Sequence, residues 1–135
     1  KMRRQSLTLA ITAATLVACQ SVPKADNFAQ IELSFEWPQN AACFGHSPEI
    51  RLNNVPEGTA ILEFKLRDFN ASFNHGGGTI AYTGSNTIPE AALKNYAGPC
   101  PPAGQVHTYE ISVIAYSADK AIALGEGAST RRYPE

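Results

Sequence analysis

Asp68, His75, His107 and Tyr109 are the residues of this chain whose types can do chemistry together. Two imidazoles supply ring N–H donors or a proton-transfer pair, a phenol adds a third donor, and a carboxylate orients a histidine or faces a cation. Such a donor set suits an anion. His107 and Tyr109 lie two residues apart, so on a strand they share one face. All four sit at or beside predicted strand ends, where loops gather and where they can converge on one pocket. Taken alone, a histidine in such a loop is more often a surface or turn residue. A pair, one followed by Gly76, Gly77 and Gly78 and the other by Tyr109, shifts the balance toward a site. Asp68 also reads as a strand terminator after Arg67, and the glycines as a loose turn. The glycine run is a weak phosphate signal, because no helix of the P-loop kind follows it.

The elements that must position these residues read mostly as strands. Residues 30–37 alternate, with Ile31, Leu33, Phe35 and Trp37 on one face and Glu32, Ser34 and Glu36 on the other. Residues 59–67 repeat the pattern with Leu62, Phe64 and Leu66, ending at Asp68. A shorter strand is predicted over 79–82, after the glycines. The long final strand starts at His107 and runs to Tyr116, fed by a loop in which Pro99, Pro101 and Pro102 lock φ while Gly98 and Gly104 allow sharp turns or close approach. Residues 38–48 read as a loop and 55–58 as a turn. One or two helical turns are predicted over 88–96, since Pro89 suits a first helical position and Glu90 to Lys94 are good helix formers. The expected fold class is therefore all-β, an antiparallel β-sandwich or open barrel with little helix.

The N-terminus reads as a leader. Lys1, Arg3 and Arg4 precede an uncharged run over 7–18, and Cys19 follows. As a helix that run would reach only about 18 Å, short of the roughly 30 Å hydrocarbon core of a bilayer. The ending Leu16-Val17-Ala18-Cys19 resembles a bacterial lipobox, in which the cysteine is lipidated and becomes the first mature residue; simple secretion is the alternative. Gln20 in place of aspartate favours, by the same resemblance, the outer membrane facing the periplasm. Residues 1–18 are thus expected to be a lipoprotein signal peptide and 19–29 a lipidated terminus and polar tether, with an ordered arm packed on the domain as the alternative. Residues 30–135 form the expected single domain. A net charge of −1 offers no basic face for nucleic acid.

With Cys19 assigned to lipid, Cys43 and Cys100 remain, both in loops of a chain bound for an oxidising compartment. A disulfide between them is expected. A histidine-activated thiol nucleophile is the alternative and requires a free cysteine. The bridge would bring His46 into the neighbourhood of the Gly98 loop.

Ser47-Pro48, Val55-Pro56-Glu57-Gly58-Thr59, Asp68 closing a strand, His75, the run 98–104 and His107-Thr108-Tyr109 together resemble the phosphatidylethanolamine-binding protein family, also called Raf-kinase-inhibitor-like. The likeness spans roughly residues 47–115. The second motif is the specific one: a proline-rich loop, glycine, two residues, then histidine-x-tyrosine. The first departs from the family pattern, with Asp68-Phe69-Asn70-Ala71-Ser72 where aspartate-proline-aspartate-alanine-proline is usual and Gly76 where tryptophan follows the histidine. Thr108 replaces the usual arginine, and Leu52 stands where tryptophan is common.

The resemblance implies a β-sandwich with a small surface pocket for phosphate or phospholipid head groups. Carried over residue by residue, Asp68, His75, the Gly98 backbone, His107 and Tyr109 would line it. Asn70 in place of the second aspartate makes the pocket less negative, and the missing aromatic leaves a wall open. Three functions compete: a lipid-anchored envelope module that binds a small anion or head group, a regulatory or inhibitory protein acting on a partner such as a protease or kinase, and a histidine-dependent enzyme. In the last, His75 and His107 act as acid and base with Asp68 orienting one of them, or the three hold a metal. No catalytic residue, metal or cofactor is assigned.

Overall fold

The computed structural model describes residues 21–135, so the leader and the lipidation expected at Cys19 lie outside the described residues. Period-two alternation builds the core. In β8 (His107–Tyr116) residues His107, Tyr109, Ile111, Val113 and Ala115 are buried, and Thr108 to Ile114 at the intervening positions are half-buried. Beside it β4 (Ile61–Asp68) runs antiparallel with Leu62, Phe64, Leu66 and Asp68 inward, and the register sets Asp68 opposite Tyr109. The flanking strands are β5 (Asn74–Ala81) and β7 (Asn95–Tyr96) on one side and β9 (Ala123–Tyr133) and β1 (Lys24–Gln30) on the other, giving a six-stranded sheet in the order β1-β9-β8-β4-β5-β7. A smaller sheet of β2 (Glu32–Phe35), β3 (Ile50–Asn53) and β6 (Thr87–Ile88) covers it, in the order β2-β3-β6. Leu33, Phe35, Ile50, Leu52 and Ile88 from this layer pack with Phe64, Leu66, Ile111 and Val113 from the other in one apolar cluster. Each such side chain contributes about 1.5–3 kcal/mol on burial.

The all-β class is borne out, with four differences in detail. Residues 24–29, expected as tether, form most of β1, whose pairing with β9 is parallel, so the larger sheet is mixed rather than purely antiparallel. The glycines lie inside β5 rather than before it. Gly77 is required there because a Cβ would sit 1.9 Å from the Phe64 carbonyl oxygen, where β4 and β5 shift register. Residues 88–96 are not helical. Buried Ser47 takes the Leu93 N–H on its Oγ at 3.1 Å and the Ala91 N–H on its carbonyl at 2.9 Å, and Ala91 turns to φ +64°. Those donors are withdrawn from any helical turn. β8 is not the last strand either: β9 follows it, and Ala123, Gly125 and Gly127 hid that strand from a reading based on β-branched content. A single turn of 3-10 helix, Ala118–Lys120, joins the two.

Cys43 and Cys100 form the expected disulfide, with Cα atoms 4.5 Å apart across a separation of 57 residues. Both cysteines are consumed by it, so the thiol-nucleophile alternative falls. Around the bridge the Cys43 N–H donates to the Pro99 carbonyl at 2.8 Å and the Gly98 N–H to the Cys43 carbonyl at 2.6 Å, so the two loops run as one. Gly98 is glycine because a Cβ there would meet the Ala41 carbonyl oxygen at 1.9 Å.

Candidate functional site

At the end of the sandwich where β4 stops and β8 starts, the loops enclose a cavity of about 570 Å³. Asp68, His75, Gly98 and His107 line it, together with Asn70, Gln105 and an apolar wall that includes Phe44, Ala71, Phe73, Ala97, Pro102 and the cystine. Four of the five expected site residues therefore share one cavity. His46 does not line it and is exposed.

The strands aim the polar groups. His107 opens β8 on its inward face, diagonal to Asp68 at the end of β4, and its Nδ1–H donates to Asp68 Oδ2 at 2.7 Å. Both residues are only 6% exposed, so this is a buried carboxylate–imidazole pair. The other carboxylate oxygen accepts the Asn70 N–H at 2.7 Å. Burial alone would raise the Asp68 pKa, but the His107 and Asn70 hydrogen bonds, the charge of His107 and the neighbouring Tyr109 hydroxyl hold it below the ordinary carboxylate value. His107 Nε2 lies 3.1 Å from the Gln105 side-chain amide, which can meet either protonation state of the ring by presenting its oxygen or its NH2. On β5, His75 is 3% exposed, and its Nδ1–H donates to the Ala97 carbonyl at 2.9 Å. That bond leaves Nε2 without a partner among the described residues. Phe73 packs edge-on against the imidazole, ring centres 4.7 Å apart.

Two expected roles change. The Gly98 backbone lines the cavity as expected, but its N–H is taken by the Cys43 carbonyl, so it leaves the wall low rather than donating from it. The Tyr109 hydroxyl likewise faces inward: Tyr109 is fully buried and its oxygen accepts the Cys100 N–H at 3.2 Å. Burial pushes its pKa up to about 12, with the nearby Asp68 charge adding to the rise and the Cys100 N–H opposing it. Tyr109 thus stands neutral behind the cavity, its ring edge-on to His75 at 5.4 Å and stacked beside His107 at 6.2 Å. What remains for a ligand among these groups is His75 Nε2, with His107 Nε2 and the Gln105 amide available once their mutual 3.1 Å contact opens.

Asn70 bridges strands, its Oδ1 accepting the Thr108 N–H at 2.8 Å. The aromatic wall expected to be missing is supplied by Phe73 and Phe44, which the sequence reading missed. Phe73 was detectable as the aromatic two residues before His75, and Phe44 as the neighbour of a cysteine tied to the Gly98 loop. Gln105, two residues before His107, carried the same period-two signal. Among the described residues no three His, Cys, Asp or Glu side chains gather as a metal-holding group. The metal alternative thus has no donor set in this site.

Tyr96 on β7 has a buried hydroxyl with no hydrogen-bond partner among the described residues, and burial, with the neighbouring Tyr109 adding, raises its pKa well above the usual tyrosine value. Tyr96→Phe removes that unpaired group and is expected to stabilise the fold by about 1 kcal/mol in urea unfolding; a loss of that size would show that the hydroxyl has a partner.

Residues 70–133 match the family model for phosphatidylethanolamine-binding protein. Two solved structures share the fold. Escherichia coli YbcL, described as a new member of the mammalian PEBP family, aligns with a TM-score of 0.58 at 18% identity over 78% of this chain and 98% of its own. The putative phosphatidylethanolamine-binding protein homologue CT736 of Chlamydia trachomatis gives 0.57 at 14% identity over 82% and 99%. No curated protein matches.

Proposed function

On the premise that this chain is built on the phosphatidylethanolamine-binding protein fold and matches that family's model over residues 70–133, we propose that it is a cell-envelope lipoprotein, anchored through Cys19, whose cavity captures a small phosphate-type anion or phospholipid head group without turning it over. The observation that carries the reading is the meeting of His75 and His107 at one cavity, each with Nδ1 engaged by the protein and Nε2 on the remaining side. With each Nδ1–H held by a protein acceptor, Nε2–H of the imidazolium form is a charged donor for a phosphate oxygen, and its direction is set before the ligand arrives. Asp68 keeps the His107 tautomer and ring plane fixed, as a carboxylate behind a histidine does elsewhere. A binding role fits better than catalysis because the cavity offers no activated nucleophile: both cysteines are in the disulfide.

His75→Phe keeps a ring against Phe73 and Tyr109 and deletes the Nε2 donor. A lost charge-assisted hydrogen bond is worth about 1.5–3 kcal/mol, so calorimetry with inorganic phosphate should show affinity falling roughly 10- to 150-fold. Unchanged affinity in a folded variant would remove His75 from the ligand.

A further inference from the structure

The two ends of the larger sheet carry different parts of the molecule. At one end His107 pairs with Tyr133, Asp68 with Tyr109 and Arg67 with Asn74, and the cavity lies there. At the other end Ile61 pairs with Tyr116 and Ala81, Tyr116 with Ala123, and Ala123 with Lys24. Just before Lys24, the Pro23 carbonyl accepts the Ala123 N–H at 2.8 Å. The chain therefore enters the domain at the end remote from the cavity. From Tyr116 to His107 is nine residue steps, about 30 Å at roughly 3.3 Å per residue. Cys19 precedes Pro23 by four residues in the sequence, a reach of at most about 14 Å at roughly 3.6 Å per residue.

Those lengths bear on where the ligand comes from, taking the lipidated Cys19 of the proposed function as given. For the cavity to face the bilayer holding the anchor, the chain would have to double back along the whole sheet. It has about half the length needed. The mouth itself is apolar: Phe44 is 100% exposed and Phe73 61%, and both line the cavity. An apolar rim turned toward water fits a ligand that brings its own apolar group.

We propose that the cavity opens away from the bilayer that holds the anchor and takes from solution a phosphoester bearing an apolar substituent, rather than a head group of the leaflet into which Cys19 inserts. The phosphate meets the two imidazoles, and the substituent lies against Phe44 and Phe73.

The test uses the full chain, matured and lipidated, in vesicles of phosphatidylethanolamine and phosphatidylglycerol with brominated acyl chains. Ile122→Trp reports on the Lys24 end, and Phe44→Trp on the cavity mouth; the native Trp37, edge-on to Tyr133 at the cavity end, is subtracted as background. Both variants are expected to float with the vesicles, with Ile122→Trp quenched several-fold more than Phe44→Trp. The unsubstituted protein should bind phenyl phosphate more tightly than inorganic phosphate, and equally well in vesicles and in detergent. Quenching at Phe44→Trp equal to or above that at Ile122→Trp, weaker phenyl phosphate binding in vesicles than in detergent, or no preference for phenyl phosphate would each overturn the inference while leaving the anchor and the anion pocket standing. Failure to float would overturn the anchor and this inference together.

Discussion

Replacing Asp68 with alanine is expected to lower the unfolding free energy by about 3–5 kcal/mol, the cost of removing one partner from a buried pair. The Asp68 side chain is 3% exposed and that of His107 8%, so the pair is largely shielded from water. The His107 Nδ1–H and the Asn70 N–H would both lose their acceptor. The same pair makes a pH signature with a definite sign. Because the folded protein holds the Asp68 pKa below the ordinary carboxylate value, the carboxylate's contribution is complete above that ordinary value and is lost as pH falls through the lowered one. Urea unfolding followed from pH 7 down through the acid range should show the native protein losing this component progressively once pH drops below the ordinary carboxylate value, and the Asp68→Ala variant lacking that loss. A loss below about 1 kcal/mol at pH 7, the range of an exposed pair, would mean that the pair is not a structural unit.

Reducing the Cys43–Cys100 bridge is expected to cost about 4 kcal/mol in the chain-entropy account of a closed loop of nearly sixty residues. Domains of this size have a total stability of about 5–15 kcal/mol, so the reduced protein should melt far lower. The effect should extend to the ligand. Cys43 holds Phe44 at the cavity, and its backbone pairs with Gly98 and Pro99. Phosphate affinity should therefore fall on reduction even at temperatures where the sandwich persists. Unfolding with and without reductant, with thiols counted, checks the first part; calorimetry on the reduced protein checks the second. Equal midpoints for the two forms would contradict this account.

The strands with strong alternation were legible, and so was the part of the site mounted on them. Leu62, Phe64 and Leu66 on β4 and His107, Tyr109 and Ile111 on β8 declare an inner face by composition alone, and that face carries Asp68 and His107 to one end. What escaped was decided by contacts that composition does not report. The glycines of β5 read as a turn because their requirement, the Phe64 carbonyl against Gly77, lies on another strand. Residues 88–96 have helical propensity, but Ser47, more than forty residues earlier, takes two of the N–H groups. β1 is a polar sequence that becomes a strand because β9 has a free edge for it. The direction of a hydrogen bond was equally invisible: the Gly98 N–H donates to the Cys43 carbonyl, and the Tyr109 oxygen, expected as a ligand donor, accepts the Cys100 N–H from a fully buried position behind the cavity.

The most direct test of the site is a phosphate titration followed by the imidazole NMR signals of His75 and His107, with His46, exposed and away from the cavity, as the internal control. The account predicts that the His75 and His107 signals move together along one saturable curve while His46 stays in place. Saturable binding that leaves both rings unmoved, or that moves His46 instead, would contradict it.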